Sequence, residues 1–433
     1  MRVPVSYHLR RLGSRLHRMR IALAVRGWTG LLRRVLGVPA ASGATSPQGS
    51  APLAFEPLAP APSRDGKPLR WLLIDVSTPR PDRDSGSLRS VNLMRLLRAD
   101  GHAVDFLPDD RIAAGHYADL LRGLGVTVHD GGDRAAYPRW FDRHLAGYDV
   151  LVVSRYHLAE FLLPLARLAA PATRVVLDTV DLHHVRERRE AEVRGDDRLR
   201  RLSLATRARE LATIAAADVA WVVSAAERDL LARELPDARV ALLPNIVEPV
   251  ADPAGPASRE GLLFVGGARH PPNVDAIEWL VSEIFPRVRE RLPGCTLHLV
   301  GDGLSRLQAL RAPGPGVVVH DHVPDLAPLL AHCRVGLAPL RYGAGVKGKV
   351  NQYMAHGLAV VATPGAAEGA FLQHERDVLL ADDAPGLAAA AVRACTDAAL
   401  WQRLVDHGLH NTRHHFSFGT ARRALADTLE LLR

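Results

Sequence analysis

Short apolar runs alternate with helix-like stretches along most of this chain, and the alternation starts twice. It begins at Arg70, breaks between Pro249 and Pro256, and then restarts. Strands that alternate with helices are typical of parallel, doubly wound sheets. The sequence therefore predicts an α/β fold with two Rossmann-like domains that face each other across a cleft. The predicted strands are 71–76, 103–108, 126–128, 149–154, 174–178, 219–224 and 240–244, then 262–266, 296–300, 316–320, 335–340, 359–363 and 378–381.

A length of 433 residues suits two such domains with extensions at the ends. Pro- and Ala-rich stretches and local charge divide the chain further. The predicted segments are a basic amphipathic arm (1–38), a Pro- and Ala-rich linker (39–66), an N-terminal Rossmann-like domain (67–250), a C-terminal Rossmann-like domain (257–397) and closing helices (398–433) that pack back toward the N-terminal domain.

The basic character of the chain is concentrated in the arm. Residues 1–38 hold nine Arg and no acidic residue, whereas the rest of the chain holds 46 basic and 47 acidic residues. A nearly neutral body argues against nucleic acid as a partner of the folded domains.

The arm also carries apolar residues at helical spacing, namely Leu9, Leu12, Leu16, Met19 and Leu23. A basic amphipathic helix of this kind binds an anionic membrane surface. A partner-docking helix, a loosely ordered helix and an organelle-targeting peptide fit the same pattern. No apolar run approaches the roughly 18–20 residues that span a bilayer, and the N-terminus lacks the apolar core of a secretory signal.

The three cysteines, Cys295, Cys333 and Cys395, are widely spaced and form neither a disulfide framework nor a metal pattern. This usage favours a reducing compartment. We therefore expect a cytoplasmic protein that is peripheral on the inner face of the membrane if the arm binds there, with no metal site.

Only three of the 55 basic residues are lysines, and two of them, Lys347 and Lys349, lie in one Gly-rich turn. The turn includes Gly343, Gly345 and Val346, and it joins a predicted strand to a predicted helix. Glycines allow close backbone approach, and a helix N-terminus favours an anion. The turn therefore predicts a cradle for a diphosphate, although a solvated basic loop fits the same residues.

Ligands of doubly wound folds bind beyond the carboxyl ends of the strands, and several polar loops lie there. In the first half, Ser85 and Gly86 open a helix, with capping by Ser85 or Ser87 as the alternative. Asp181 and His183 follow another strand and suit sugar contact or proton transfer, with structural capping or a sparse metal site as alternatives.

The second half offers further candidates. Gly266 and Gly267 end a strand, His270 follows them, and Asn273 is expected to cap a long helix. Asp302 lies in a turn, the main chain around Val323 is expected to contact a nucleobase, Gln352 a ribose, and Glu368 a sugar hydroxyl, with capping as the alternative for Glu368.

The second half, taken as one string, resembles the retaining glycosyltransferases of family 4, which have the GT-B fold. The motifs that carry the resemblance are 264–267, 270–276, 299–301, 323–326, 338–349, 354–363 and 368–369, with 84–87, 101–104, 178–183 and 244–245 in the first half. The resemblance implies a nucleotide-sugar donor held by the C-terminal domain and a glycan, lipid-linked or small-molecule acceptor held by the N-terminal domain. It also implies transfer of the sugar with retention of configuration, and no metal or other cofactor.

Through the same resemblance, Lys347, Lys349, Asp181 and His183 are the expected catalytic residues. The expected donor-binding residues are Ser85, Gly86, Gly266, Gly267, His270, Asn273, Asp302, Val323, Gly343, Gly345, Val346, Gln352 and Glu368.

The chain departs from the family at two positions where relatives often carry Glu, which are Ala344 and Gln352 here. A neutral hydrogen bond from Gln352 to ribose is roughly half as strong as a charge-assisted one. A non-catalytic GT-B protein that binds nucleotide sugars is therefore the alternative. A dinucleotide-dependent oxidoreductase is disfavoured, because no Gly-x-Gly-x-x-Gly follows the first strand.

Overall fold

The computed structural model describes residues 5–35, 55, 57–59, 67–130 and 137–433 of the chain. The predicted linker, 39–66, lies almost entirely outside these residues. Within them the predicted fold class is confirmed, because the chain forms two parallel sheets, each covered by helices.

The N-terminal domain contains a sheet in the order β3-β2-β1-β4-β5-β6-β7, with every pairing parallel. Its strands are β1 (Arg70–Asp75), β2 (Ala103–Pro108), β3 (Thr127–Val128), β4 (Val150–Ser154), β5 (Arg174–Asp178), β6 (Val219–Val222) and β7 (Val240–Leu242). The arm forms α1 (Val5–Val35), and the domain adds α2 (Ser85–Ala99), α3 (His116–Gly123), α4 (Tyr137–His144), α5 (Tyr156–Ala169), α6 (His183–Arg194), α7 (Asp197–Ala215) and α8 (Ala225–Glu234).

The C-terminal domain contains a second parallel sheet in the order β10-β9-β8-β11-β12-β13. Its strands are β8 (Leu262–Val265), β9 (Leu297–Val300), β10 (Val317–His320), β11 (Val335–Ala338), β12 (Ala359–Ala362) and β13 (Leu379–Leu380). Its helices are α9 (Pro271–Trp279), α10 (Phe285–Arg291), α11 (Ala327–His332), α12 (Gly348–Ala355), α13 (Pro364–Ala367), α14 (Ala384–Thr396), α15 (Ala398–His415) and α16 (Phe418–Leu431).

Strand β1 shows why the apolar runs predicted strands so well. Leu72 and Ile74 belong to the core on one face of the sheet, and Trp71 and Leu73 belong to the core on the other face. A parallel sheet covered on both faces needs apolar side chains at every position, so its strands appear in the sequence as continuous apolar runs.

The two closing helices pack on different domains. Helix α15 packs against α12, α14 and β12 of the C-terminal domain, and the indole of Trp401 donates to the carbonyl of Arg334 at 2.8 Å. Helix α16 packs against α2 and β7 of the N-terminal domain, where the indole of Trp221 donates to Thr428 at 2.9 Å. The end of the chain thus crosses back and joins the two domains.

Beyond the arm, the sequence predicts helices at 87–99, 157–169, 199–216, 226–235, 273–291, 325–332, 349–356, 385–394, 398–410 and 418–432. Four helices of the structure, α3, α4, α6 and α13, lie outside these stretches. Helix α6 is hard to predict from the sequence because two acidic residues, Glu187 and Glu190, lie on its buried face. A helix that buries carboxylates does not show the apolar repeat on which sequence reading depends.

The arm helix α1 lies along α5 and α7. Tyr7, Ser14 and His17 form its buried face, and the predicted apolar residues Leu9 and Leu12 point to solvent. No helix among the described residues is both long enough and apolar enough to cross a membrane.

Candidate active site

A cleft of about 1070 Å³ lies between the carboxyl ends of the two sheets. Both domains and the arm line it. Thirteen of the seventeen predicted site residues lie on its walls, namely Ser85, Gly86, Asp181, His183, Gly266, Gly267, His270, Asn273, Asp302, Val346, Lys347, Lys349 and Gln352. The other four, Val323, Gly343, Gly345 and Glu368, lie outside the lining of this cleft.

The turn with the two lysines packs directly against the N-terminal domain. Gly345 has a positive φ of 63°, and a Cβ there would lie 2.9 Å from Val223. A Cβ on Gly348 would lie 2.2 Å from the Cβ of Ser85. Only glycine permits this approach. As a result, the N-termini of α12 and α2 meet at one point of the cleft, and both present N–H groups and the positive end of a helix dipole.

Lys347 folds back onto its own turn. Its ammonium group donates to the carbonyls of Ala344 at 3.1 Å and Gly345 at 2.6 Å. Burial lowers the pKa of Lys347 to about 8, although Glu368 and Glu227 act in the opposite direction. The protein thus holds this cation in a place where its charge is costly.

Lys349 lies deeper in the same wall. Its ammonium group donates to Asn273 Oδ1 at 2.8 Å and lies 3.9 Å from the centre of the Phe264 ring. Burial, with the charge of Lys347, lowers the pKa of Lys349 to about 7. Among the described residues, no carboxylate lies within 4.0 Å of either ammonium group. The two lysines are therefore placed where an added anion relieves their mutual repulsion.

Asn273 does not cap helix α9 as expected, because His270 occupies the N-cap position and Asn273 lies one turn further. Its side chain instead donates to the carbonyl of Gly267 at 3.2 Å and accepts from Lys349. A Cβ on Gly266 would lie 2.6 Å from the Asn273 side chain, so glycine is required at this strand end. The role of Asn273 is to hold Lys349 in place.

The opening of α2 also differs from the expected cap. Asp84, rather than Ser85 or Ser87, occupies the N-cap position, and its side chain accepts from the backbone N–H of Ser87 at 2.7 Å. Gly86 lies inside the first turn, on the wall of the cleft. The N–H groups of this turn therefore face the ligand space.

The opposite wall of the cleft is built around Asp181 and His183. Asp181 forms an ion pair with Arg186, and His183 Nδ1 lies 3.3 Å from Asp181 Oδ1. Although burial opposes ionisation, Arg186 and His183 hold the pKa of Asp181 well below its usual range. Val180, just before it, has a φ of 66°, which is rare for a β-branched residue and marks local strain. This segment is fixed in one conformation.

Glu210, on helix α7, fixes the start of α6. It is fully buried and accepts from the backbone N–H groups of His183 and His184, each at 3.0 Å, and from His184 Nδ1 at 2.6 Å. Burial raises the pKa of Glu210, but the hydrogen bonds from His183 and His184 outweigh it and bring the pKa to about 2. The carboxylate thus supplies the cap that orients His183.

Arg155 and Arg186 also lie on the cleft wall, and sequence reasoning missed both. Arg155 follows β4 with a φ of 73° and pairs with Asp75 at 3.1 Å. Arginine is so common in this chain that neither position stood out. The position of Arg155 at a strand's carboxyl end was the only available signal.

Charged pairs cross the cleft between the two domains. Asp302 accepts from Arg83 of the N-terminal domain at 3.0 Å and from Arg269 of its own domain at 2.5 Å. His322 and Asp82 form a second contact at 3.0 Å. Asp302 is therefore occupied by two guanidinium groups, which leaves it as a bridge between the domains in this structure.

Glu368 has a similar bridging position. Arg189 of α6 binds both of its carboxylate oxygens, at 2.5 and 2.8 Å, and donates to the carbonyl of Gly343 at 2.8 Å. Hydrogen bonds from Arg189 lower the pKa of Glu368 despite its burial. In this arrangement Glu368 holds the two domains together beside the lysine turn.

The two positions where relatives often carry Glu, Ala344 and Gln352, lie in different surroundings. Ala344 packs against the core of the N-terminal domain, where a small side chain fits. Gln352 lies on the cleft wall in α12, one turn beyond Lys349.

Part of the chain is similar to a known protein family. Residues 259–397 match the family model described as glycosyl transferases group 1. No curated protein sequence gives a significant match.

Solved structures show the same fold. Sucrose-phosphate synthase from Thermosynechococcus elongatus has a TM-score of 0.63 at 18% identity, covering 84% of this chain and 99% of that one. HepE from Anabaena, in complex with UDP and glucose, has a TM-score of 0.62 at 15% identity, with 84% and 99% covered. TarM from S. aureus, in a complex that contains UDP, has a TM-score of 0.51 at 10% identity, with 66% and 55% covered.

The two sheets and the cleft between them define a GT-B protein. Within this fold, residues 259–397 of the C-terminal domain are similar to the group 1 glycosyl transferases, in agreement with the resemblance found in the second half of the sequence.

Proposed function

We propose that this protein is a retaining glycosyltransferase that moves a sugar from a nucleotide-sugar donor to a glycan, lipid-linked or small-molecule acceptor. One observation carries the proposal. The ammonium groups of Lys347 and Lys349 lie on the cleft wall at the N-terminus of α12, beside the N-terminus of α2, and no described carboxylate pairs with them. Such a site fits a diphosphate.

The chemistry follows from where negative charge develops. As the bond between the anomeric carbon and the donor phosphate breaks, charge grows on the leaving diphosphate. Lys347, Lys349 and the two helix N-termini are already in place to stabilise it. The acceptor oxygen bonds to the same face of the anomeric carbon, and its proton passes to the leaving phosphate oxygen. This route needs neither a dedicated protein base nor a metal ion.

The opposite wall suits a positioning role. Asp181 Oδ1 is buried and accepts no hydrogen bond from a described residue, although His183 Nδ1 lies 3.3 Å from it, so a sugar hydroxyl is a fitting donor to this oxygen. His183, fixed by Glu210, stands beside it on the cleft wall. We assign Asp181 and His183 to the transferring sugar or the acceptor, and Gln352 to the donor ribose.

The neighbours support a uridine nucleotide as the first donor to test. The HepE structures contain UDP with glucose or UDP-glucose, and a TarM structure contains UDP. By analogy, the proposal extends to a role in polysaccharide biosynthesis at the cytoplasmic side of a membrane, with the basic arm as the membrane contact.

The test is a thermal-shift screen of the full chain against UDP, GDP, ADP, CMP and dTDP. A nucleotide at about 100 times its dissociation constant adds roughly 2.7 kcal/mol to the free energy of unfolding. We expect one nucleotide to raise the melting temperature clearly. The corresponding nucleotide sugar should then release that diphosphate when an acceptor is added. Absence of any shift at millimolar nucleotide would contradict the proposal.

The second candidate is a GT-B protein that binds nucleotide sugars without transferring the sugar. Ala344 and Gln352, at the two positions where relatives often carry Glu, favour it. The two candidates separate on turnover, because the second predicts a nucleotide-induced thermal shift with no release of nucleoside diphosphate.

A further inference from the structure

The inner face of the arm helix α1 packs against the N-terminal domain through specific contacts. Tyr7, Ser14 and His17 are buried against α5 and α7. Ser14 donates to the carbonyl of His157 at 3.1 Å, and His17 Nε2 lies 2.8 Å from Thr206 Oγ1. These contacts are polar and specific, so the first part of the arm is a fixed part of the N-terminal domain.

The outer face of the same helix is apolar and exposed. Its side chains form a stripe, which we call the arm stripe, with exposed fractions from 41% at Met19 to 73% at Val5. Residues of this stripe recur at helical spacing on the side opposite Tyr7 and Ser14. A solvent-facing apolar row on a helix rich in Arg marks a binding surface. The arm stripe consists of Val5, Leu9, Leu12, Leu16 and Met19.

The third side of the helix faces the cleft. Arg11, Arg15 and Arg18 line the cleft, and Ile21 continues the same edge. These positions lie between the inner face and the arm stripe on the helical projection. The arm therefore presents an apolar row to the outside and three arginines to the cleft. Of these, Arg11 also donates to the Tyr7 hydroxyl at 3.2 Å and lies over the Phe161 ring.

His157 supplies an unpartnered polar atom at the same edge. The residue is 7% exposed, lies on the cleft wall, and its Nε2 has no hydrogen-bond partner among the described residues. Burial, with the nearby charge of Arg18, keeps the pKa of His157 well below its usual value. A buried polar atom without a partner calls for a ligand group in the cleft.

From this arrangement we infer that the arm docks on an anionic bilayer through the arm stripe and presents Arg11, Arg15 and Arg18 to the phosphate of a lipid-linked acceptor. The inference deepens the proposed function and rests on it. Charge favours a bilayer over a protein partner, because nine Arg and no acidic residue lie in 1–38. A helix that lies in the interface places its flanking arginines at headgroup depth, where a lipid phosphate lies.

The docking surface is tested by sedimentation of the full chain with vesicles of phosphatidylcholine, with and without phosphatidylglycerol. We expect L12D/L16D to weaken binding to the anionic vesicles by at least about tenfold, since each exposed leucine loses its burial in the bilayer. The matched control is V318D/F371D, which adds the same charge at exposed apolar residues of the C-terminal domain. Two outcomes would overturn the membrane-docking role of the arm stripe and leave a protein partner as its occupant. One is equal vesicle binding by the two variants, and the other is a wild type that binds neither kind of vesicle.

The phosphate contact is tested with vesicles that carry a polyprenyl monophosphate in place of an equal charge of phosphatidylglycerol. We expect the wild type to bind the polyprenyl phosphate vesicles more tightly, and R15Q/R18Q to lose this preference. The control R10Q/R20Q removes the same charge from exposed arm positions outside the cleft lining and should keep the preference. If both variants lose the preference equally, only the general charge of the arm acts. If added soluble inorganic phosphate abolishes the preference of the wild type, the site binds free phosphate and not a lipid phosphate.

Binding of nucleoside diphosphate, measured on the same variants, separates this inference from the proposed function. If L12D/L16D and R15Q/R18Q bind the nucleotide normally but do not differ from their controls on vesicles, the inference alone fails. If vesicle binding follows the expectations but no nucleotide binds, the proposed function fails.

Discussion

The two walls of the cleft use charge in opposite ways. At the centre of the N-terminal wall the charged side chains are paired, as in Asp181 with Arg186, Glu210 with His184 and Arg155 with Asp75. On the C-terminal wall the hydrogen bonds of Lys347 and Lys349 within the described residues go only to carbonyl and amide oxygens. One wall is electrostatically satisfied without ligand, and the other is not.

This difference assigns different tasks to the two walls. A paired, buried network fixes geometry, and its loss costs stability. A lysine whose pKa is lowered by burial destabilises the folded protein while it is charged. A bound anion offsets this cost because it stabilises the charged form. The account therefore predicts that substitutions on the N-terminal wall affect folding first, whereas substitutions on the C-terminal wall affect ligand binding first.

The largest expected effect is the loss of stability in Glu210→Gln. The amide would bring an NH₂ group toward donors that now point at a buried carboxylate, and removal of one partner from such a network costs about 3–5 kcal/mol. Urea denaturation measures the change. The control Glu192→Gln removes an exposed partner of Arg188 and should cost less than about 1 kcal/mol. A small effect of Glu210→Gln would show that the wall is not held by this carboxylate.

The next largest effect is on ligand affinity in Lys349→Ala. We expect nucleoside diphosphate binding to weaken by more than about 1.5 kcal/mol, the scale of a hydrogen bond to a charged group. The free energy of unfolding without ligand should not fall, because burial of this ammonium group opposes folding at neutral pH. Calorimetric titration and urea denaturation give the two values.

The matched control is Lys67→Ala, at the third and last lysine of the chain, which is exposed and lies outside the cleft lining. It should leave affinity unchanged. Unaltered affinity in Lys349→Ala, or equal losses in both variants, would remove Lys349 from the diphosphate site.

The pH dependence of binding is a third expected effect. The pKa values of Lys349 and Lys347 are lowered to about 7 and about 8, so both ammonium groups lose protons as the pH rises from 7 to 9. A bound diphosphate favours the charged forms, and binding therefore takes up protons in this range. We expect affinity to fall by about tenfold between pH 7 and pH 9. Affinity that is constant across this range would count against the two lysines.

The smallest expected effect is a gain of affinity in Gln352→Glu. A charge-assisted hydrogen bond to the donor ribose is roughly twice as strong as a neutral one, so binding of the matching nucleoside diphosphate should tighten by about 0.5–1 kcal/mol. Pyrophosphate, which has no ribose, is the control ligand. Tighter binding of pyrophosphate, or weaker binding of the nucleotide, would contradict the assignment of Gln352 to the donor ribose.

The sequence predicted the strands and the place of the cleft because both follow from local patterns. Buried parallel strands are continuous apolar runs, and the loops at their carboxyl ends are polar. The lysine turn was visible because lysine is rare in this chain. Its close contact with Ser85 across the cleft was not, since the two residues are far apart in sequence.

Features that depend on tertiary contact could not be read in advance. The pairing of Arg189 with Glu368 and the capping of α6 by Glu210 join segments that are remote in sequence. The arm shows the same limit. Its apolar spacing predicted an amphipathic helix, but only the structure shows that the polar residues Ser14 and His17 face the protein.

The most direct test of the central claim uses the three lysines themselves. NMR titration of ¹³C- and ¹⁵N-labelled lysine side chains, with and without the nucleoside diphosphate that gives the largest thermal shift, follows each ammonium group separately. The account predicts that the pKa values of Lys347 and Lys349 are depressed in the free protein and rise by more than about one unit on binding, whereas that of Lys67 stays constant. Depressed pKa values that do not change with bound nucleotide would contradict the claim that the C-terminal wall is completed by a diphosphate.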